Sequence, residues 1–237
     1  MKTFAALASL LCFAFPAISV AEPRPSPIVV ELFTSQGCAS CPPADALMHK
    51  LSKRDDVLAL AFHVDYWDYI GWKDIFADPA YTARQKAYAQ AMGHRMVHTP
   101  QMIVMGQEDI GGADPMALAD AIARHRAVPS SVSLSMHQSP SGVTISLRPV
   151  TGAAPRSAVV DVIRYAPLKR VAISRGELAG RTIDYANIVE EWTRLADWNG
   201  ADDLTLTVPL PGDQSLAVLV QEINSGPILA AAALRSE

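Results

Sequence analysis

The segment "FTSQGCASCPPAD" (Phe33–Asp45) places two cysteines, Cys38 and Cys41, between an apolar run and a helix-forming stretch. The apolar run "PIVVELF" (27–33) predicts a buried strand, and the spacing in "PPADALMHKLSKR" (42–54) predicts an amphipathic helix. We therefore expect the cysteine pair where the strand passes into the first turn of the helix. Cysteines at this spacing serve as redox centres, as halves of metal sites or as structural disulfides.

The N-terminus has the features of a secretory signal peptide. A lysine precedes the apolar stretch "FAALASLLCFAFPAISV", and Ser19–Ala21 has the small residues that a signal peptidase recognises. The stretch is broken by Pro16 and falls short of the roughly 20 residues that a membrane span needs. We expect residues 1–21 to be removed, which leaves Cys38 and Cys41 as the remaining cysteines. The protein is then expected to be periplasmic or secreted, and disulfides persist in those compartments.

The composition is that of a folded chain. Half of the residues are hydrophobic, 19% are charged and the formal net charge is −4. This acidic balance argues against a nucleic-acid partner. Beyond the signal peptide no apolar run is long enough to cross a membrane, and the sequence lacks P-loop, dinucleotide-binding and zinc-protease motifs.

Helical patterns alternate with short strands up to about residue 128. After the first strand and helix come a strand at 57–64, a helix at 78–93, a hairpin at 101–112 and a helix at 114–126. The predicted order is βαβαββα. A helical crossover should make the first two strands parallel, and the last two should form an antiparallel hairpin. We assign residues 22–128 to this α/β domain.

From residue 129 onward the sequence changes to strands separated by turn signals such as "SPSG" and "NSGP". This pattern predicts a mainly antiparallel, β-sandwich-like domain over 129–237. We expect no catalytic cluster there, because His137 is its only histidine and it has no cysteine. Trp192 and Trp198 lie on a stretch expected to be a strand packed against its neighbour.

A redox role follows from the expected position of the cysteines. The N-terminus of a helix stabilises a thiolate, which is the form that attacks disulfides. Cys38 is expected to be the exposed nucleophile, and Cys41 to be more covered and to resolve the mixed disulfide. A structural zinc site needs four ligands, and so short a disulfide loop constrains the unfolded chain little, but both alternatives stay open.

The segment "HTPQMIV" (98–104) places Thr99 and Pro100 directly before the third predicted strand. It has the form of a cis-proline loop, although cis X-Pro bonds are uncommon in folded proteins. An ordinary trans proline at the start of a strand is the alternative.

The order of elements, the helix-opening "CASC" and this "TP" together resemble the thioredoxin fold, in which the proline loop faces the cysteine pair. The runs "VVELFTSQGCASCPPAD", "ALAFHVDYWDYIGWKDIFADPAYTARQKAYA" and "HTPQMIVMG" are similar to a secreted bacterial family known as domain of unknown function 1223. The resemblance implies a thioredoxin-like, exported protein and no established reaction. The chain departs from thioredoxin at Gly37, where a tryptophan would stand, and in the Ala-Ser pair between the cysteines.

Glu31 is a carboxylate inside an otherwise apolar predicted strand. If it is buried, its pKa should be raised. The functional interpretation makes it the proton acceptor for Cys41, similar to the buried acid of thioredoxins. The alternative is a structural pairing with a lysine or an arginine.

The stretch after the second predicted strand is rich in aromatic and polar residues. Ligand crevices border the carboxyl ends of strands in α/β sheets. His63, Asp65, Tyr66 and Trp67 are therefore expected to form a substrate-binding wall beside Cys38. The alternative is that these residues pack a long loop onto the body of the protein.

Three classes of function are consistent with these sequence features. The leading one is a thiol–disulfide oxidoreductase that uses the Cys38–Cys41 disulfide, without another cofactor, on an envelope protein or a small thiol. The second is a metal-binding or delivery module in which Cys38, Cys41 and His63 hold Cu(I). The third is a non-enzymatic binding protein with a structural disulfide. The direction of exchange depends on a redox potential that the sequence leaves open.

Overall fold

The computed structural model describes residues 26–209, 212 and 214–236, so the signal peptide expected at 1–21 lies outside the described residues. The first half contains β1 (Ile28–Thr34), α1 (Pro42–Leu51), β2 (Val57–His63), α2 (Pro79–Ala91), β3 (Gln101–Val104), β4 (Glu108–Gly111) and α3 (Pro115–Arg126), with a short 3-10 helix (Asp68–Ile70) before α2. The predicted order βαβαββα is therefore present.

The second half consists of strands. They are β5 (Val132–Ser139), β6 (Gly142–Pro149), β7 (Ala158–Ala172), β8 (Thr182–Trp198), β9 (Leu204–Val208), β10 (Ser215–Glu222) and β11 (Ile228–Leu234). No helix follows α3 in the part of the chain that the structure describes. Trp192 and Trp198 lie on β8 and pair across to β7, opposite Ile163 and Ala158.

Local sequence explains where α2 and α3 begin. Asp78 and Asp114 are the N-cap residues, and a proline follows each of them as the first helical residue. The Asp78 carboxylate accepts a hydrogen bond from the Ala80 backbone N–H at 2.7 Å, and Asp114 accepts two such bonds at 3.0 Å. These contacts satisfy backbone donors that a helix start leaves free. The predicted helix starts are therefore confirmed.

A mixed eight-stranded sheet, in the order β11-β10-β7-β8-β2-β1-β3-β4, forms the centre of the molecule. As predicted, β1 and β2 are parallel, and β3 and β4 form an antiparallel hairpin. Alternate residues of β1 face opposite sides of the sheet. Val30 and Leu32 pack with α1 and α3, whereas Val29 and Phe33 pack with α2.

The second half is mainly antiparallel, as predicted, but its strands are divided between two sheets. β5, β6 and β9 make a separate three-stranded sheet that packs against β7, β10 and β11. The other strands extend the large sheet, because β8 joins β2 at Ala61 and Ile188. Asn187 strengthens this join with a 2.8 Å side-chain hydrogen bond to the Ala59 carbonyl. Pairing with β8 covers an edge of β2 that would otherwise be open.

Each helix in the described part of the chain is too short or too polar to cross a membrane.

Candidate functional site

Cys38 and Cys41 form a disulfide in the loop between β1 and α1. Helix α1 begins at Pro42, so Cys41 is its N-cap and Cys38 lies before the helix, not in its first turn as expected. The Cys41 carbonyl accepts hydrogen bonds from the backbone N–H groups of Ala44 and Asp45 at 2.9 and 3.1 Å. These bonds fix the second cysteine to the start of the helix.

Both cysteines are buried, with exposed fractions of 1% for Cys38 and 0% for Cys41. The expectation of an exposed Cys38 is therefore wrong for the oxidised form. The two residues between the cysteines are exposed while the sulfurs face inward. Ser40 Oγ lies 3.4 Å from Cys38 Sγ. The turn around Ser40 is thus the part of the cysteine loop that meets the solvent.

The departure from thioredoxin at Gly37 has a steric reason. A Cβ on Gly37 would lie 3.0 Å from Cβ of Trp67 and 3.3 Å from Cδ1 of Ile70. A contact that close forces a neighbour to move. Trp67, from the loop after β2, therefore occupies the space that a side chain before Cys38 would need.

The Thr99–Pro100 peptide bond is cis, as the sequence predicts. The Thr99 carbonyl accepts a 3.4 Å hydrogen bond from Ser40 Oγ, and the Thr99 hydroxyl accepts a 2.7 Å hydrogen bond from the indole N–H of Trp67. Pro100 is buried. The loop before β3 thus lies against the cysteine loop, as the resemblance to thioredoxins implied.

Asp45 is buried one helical turn after Cys41. The Thr34 hydroxyl donates to Asp45 Oδ1 at 2.8 Å, whereas Oδ2 has no hydrogen-bond partner. Burial raises the pKa of Asp45 to about 7, against the lowering effects of His63 and of the Thr34 hydroxyl. Sequence reasoning missed this residue, although an aspartate on the apolar side of the helix, four residues after a cysteine, is a usable signal.

His63 faces the interior of the protein. Its Nδ1 lies 2.7 Å from Oδ2 of Asp74, which also accepts a 2.7 Å hydrogen bond from the Gln36 backbone N–H. Burial alone would raise the pKa of Asp74, but His63 and the donors around it hold that pKa below its usual value. Because the His63 side chain is fully buried, it does not line a substrate-binding surface as expected.

Tyr185, on β8, contacts the same histidine. The ring centroids of His63 and Tyr185 are 5.0 Å apart, in an edge-to-face arrangement. The Tyr185 hydroxyl is buried and has no hydrogen-bond partner. Sequence reasoning missed it, because the second half was expected to contain no functional cluster and because the pairing of β8 with β2 has no local sequence signal.

Glu31 lies on the other side of the sheet, and the structure contradicts its expected role toward Cys41. It alternates with Val30 and Leu32, which face α1, so its side chain points toward α2. There Glu31 Oε1 accepts a 2.7 Å hydrogen bond from Nε of Arg84, and Oε2 accepts one from the Tyr88 hydroxyl. Pairing with an arginine, the alternative that the sequence left open, is what the structure contains.

Asp65 and Tyr66 are held by helix α2. Asp65 Oδ1 accepts a 2.6 Å hydrogen bond from Thr82, and the Tyr66 hydroxyl donates to Gln85 at 3.2 Å. Both side chains are half-buried and fasten the loop after β2 to the helix. Of the four residues expected to form a wall beside Cys38, Trp67 is the one with contacts to the cysteine loop and the proline loop.

The described residues contain no group of three or more histidine, cysteine, aspartate or glutamate side chains placed to hold a metal ion. Cys38 and Cys41 are bonded to each other and His63 contacts Asp74, and the Cu(I) site of Cys38, Cys41 and His63 stays a prediction.

The chain belongs to a family described as protein of unknown function (DUF1223), whose model matches residues 29–221. It is similar to the crystal structure of protein AGR_C_4864 from Agrobacterium tumefaciens, with 31% identity and a TM-score of 0.77 over 90% of this chain and 96% of that one. HBP35 of Porphyromonas gingivalis shares the fold, with 16% identity and a TM-score of 0.61 over 90% of this chain and 76% of that one. No curated protein matches the chain.

Proposed function

We propose that this protein is an exported, thioredoxin-like thiol–disulfide oxidoreductase that acts through Cys38 and Cys41. The observation that carries the proposal is the position of the disulfide, between the end of β1 and the N-cap of α1 and against the loop of Thr99. The strand order β2-β1-β3-β4, with α1 and α3 on one face and α2 on the other, resembles the thioredoxin fold and supports it.

In the reducing direction, the Cys38 thiolate attacks a partner disulfide, forming a mixed disulfide and releasing one partner thiolate. Cys41 then loses its proton and attacks Cys38 Sγ. The bond between Cys38 and the partner breaks, and the second partner sulfur leaves as a thiolate that takes a proton. Two electrons pass from the cysteine pair to the partner, and the oxidising direction is the reverse.

The partner in this proposal is an envelope protein or a small thiol compound in the periplasm or outside the cell, where the signal peptide of residues 1–21 directs the chain. Residues 22–128 supply the thioredoxin-like exchange unit, and the β-rich residues 129–237 support it. Because both sulfurs are buried in the oxidised form, a partner must approach beside the exposed Ser40 and displace its contact with Thr99.

A structural disulfide in a non-enzymatic binding protein is the second candidate. The exposed fractions of 1% and 0% for Cys38 and Cys41 favour it, because a covered disulfide exchanges slowly with thiols in solution.

A redox titration of the protein without residues 1–21, in glutathione buffers, separates the two candidates. The oxidoreductase proposal predicts rapid exchange with glutathione and a midpoint potential within the range of known dithiol oxidoreductases, from about −120 to −270 mV. A midpoint below about −300 mV together with slow exchange would support the structural disulfide.

A further inference from the structure

Three buried polar atoms on neighbouring elements have no hydrogen-bond partner in the protein. They are Oδ2 of Asp45 on α1, Nε2 of His63 on β2 and the hydroxyl of Tyr185 on β8. Buried polar atoms in folded proteins are nearly always paired, with protein groups or with ordered water. Three such atoms on three adjoining elements therefore mark a buried polar site, in which an ordered water or a transferred proton would supply the missing partners.

Several observations place these three side chains together. The rings of His63 and Tyr185 are 5.0 Å apart. Thr34, the hydrogen-bond donor to Asp45, is the residue opposite His63 where β1 pairs with β2. Asp45 also contributes to the raised pKa of Tyr185, whose main cause is burial. The three groups thus lie within electrostatic range of one another in a part of the protein that excludes bulk water.

The site lies on the inner side of the cysteine pair. Cys41 has helical backbone angles, φ −76° and ψ −32°, and Asp45 follows four residues later. Side chains at positions i and i+4 of a helix lie one above the other on the same face. Cys41 and Asp45 are both buried, so the carboxylate lies on the side of the helix on which Cys41 is covered.

We propose that Asp45, His63 and Tyr185 form a buried proton relay for Cys41, to which the C-terminal half contributes the tyrosine. This inference rests on the proposed function. When Cys41 attacks the mixed disulfide, its S–H proton passes to Asp45, directly or through water, and its sulfur electron pair forms the bond to Cys38. The bond from Cys38 to the partner breaks, and its electron pair leaves with the partner sulfur.

Asp74 orients the relay. With Asp74 ionised, Nδ1 of His63 carries the hydrogen of their 2.7 Å contact, which leaves Nε2 as the ring nitrogen that can bind or release a proton. The phenol of Tyr185 can both donate and accept, and can therefore pass a proton between neighbours. Asp74 and His63 are positioning residues in this scheme, and Asp45 is the group that takes the proton.

The pH dependence follows from the groups that face Asp45 and Tyr185. These are Thr34 on β1, His63 on β2, Asp74 in the loop before α2 and Arg181 before β8. Burial outweighs the other effects on Asp45 and raises its pKa to about 7. The carboxylate that accepts the proton therefore becomes available as the pH rises through about 7, and the rate of the Cys41 step should rise with it.

Reduced protein mixed with 5,5′-dithiobis(2-nitrobenzoate) separates the two steps. Attack by Cys38 releases the first thionitrobenzoate, and attack by Cys41 on the mixed disulfide releases the second. We expect Asp45→Asn to slow the second release by about 100-fold at neutral pH and to abolish the inflection near pH 7 in its pH–rate profile. The rate of the first release should stay unchanged. Asp161→Asn is the matched control, because Asp161 is also a buried acid with a raised pKa and an unpartnered oxygen.

Tyr185→Phe keeps the relay testable if Asp45→Asn does not fold. The hydroxyl has no partner to lose, so the variant should fold, and it should slow the second release or shift its inflection. Tyr165→Phe, at another buried tyrosine with an unpartnered hydroxyl, should change neither.

The outcomes separate the relay from the function on which it rests. If Asp45→Asn and Tyr185→Phe both release the second group at the wild-type rate and with the wild-type pH profile, the relay is overturned and the oxidoreductase stands. If Tyr185→Phe releases the second group at the wild-type rate while Asp45→Asn releases it more slowly, the three-residue relay is overturned, because Tyr185 on β8 then has no part in it. If the wild-type protein shows no intramolecular second release, the proposed function itself fails.

Discussion

Trp67 and Thr99 join two loops beside the cysteine pair, with the indole N–H of Trp67 donating to Oγ1 of Thr99 at 2.7 Å. The Trp67 side chain also packs against Gly37, directly before Cys38. The loop after β2 and the loop before β3 thus meet beside the cysteine loop, and we expect them to act as a cover over the buried disulfide. Access to Cys38 should depend on how tightly this cover closes.

Gly37→Ala tests that cover. The new methyl group would lie 3.0 Å from Cβ of Trp67, so the tryptophan must shift. We expect a loss of about 1–3 kcal/mol in the free energy of unfolding and faster reduction of the disulfide by dithiothreitol. Gly111→Ala is the control, because its nearest contact is 3.7 Å away. Reduction of Gly37→Ala at the wild-type rate would show that Trp67 does not limit access to Cys38.

Asp45 should make the stability of the oxidised protein depend on pH. In the unfolded chain this carboxyl ionises near pH 4, whereas burial raises its pKa in the folded protein to about 7. Because the pKa of Asp45 is higher in the folded protein, its contribution to the free energy of unfolding is fully present below about pH 4. That contribution is lost as the pH rises through about 7.

Urea unfolding of Asp45→Asn at several pH values measures this contribution. The asparagine cannot ionise, so wild type should lose stability relative to the variant between about pH 4 and 7, by on the order of a few kcal/mol. Asp120→Asn, at an exposed position of α3, should follow the wild-type curve. Parallel curves for wild type and Asp45→Asn would contradict the raised pKa.

Glu31→Gln should affect stability and leave the exchange rate unchanged. The substitution removes one charge of the buried Glu31–Arg84 pair, which costs about 3–5 kcal/mol. Glu222→Gln, at the more exposed Arg156 pair, should cost less than about 1 kcal/mol. Chemical denaturation measures the stability, and the two-step release of thionitrobenzoate measures the exchange rate. A slower second release in Glu31→Gln would restore this residue as a candidate proton acceptor.

Sequence patterns predict much of the first half of the fold, because its signals are local. Asp-Pro pairs start α2 and α3, and apolar runs mark β1 and β2 as buried strands. The cysteine pair, Thr99 and Pro100 also follow from local motifs. The side of the sheet that Glu31 faces could not be read in the same way, because every residue of β1 is buried and no alternation of polar residues shows its direction.

The remaining parts of the site depend on contacts between distant segments. Tyr185 reaches His63 because β8 pairs with β2, more than a hundred residues away in the chain. Through the same pairing, β7, β8, β10 and β11 extend the large sheet, while β5, β6 and β9 form the smaller one. Cys38 lies in a loop that contacts Trp67 and Thr99 from distant segments, so its low exposure has no signal within the Cys-x-x-Cys motif itself.

In the proposed reaction Cys38 attacks and Cys41 resolves, and the reaction of single-cysteine variants with glutathione disulfide distinguishes these two roles. Cys41→Ser should form a stable mixed disulfide with glutathione through Cys38 at mildly acidic pH, where an ordinary thiol reacts slowly. Cys38→Ser should react far more slowly, because Cys41 is fixed at the start of α1 and serves to resolve the mixed disulfide. Equal and slow reaction of both variants, measured by mass spectrometry over time, would contradict the oxidoreductase account and leave a structural disulfide.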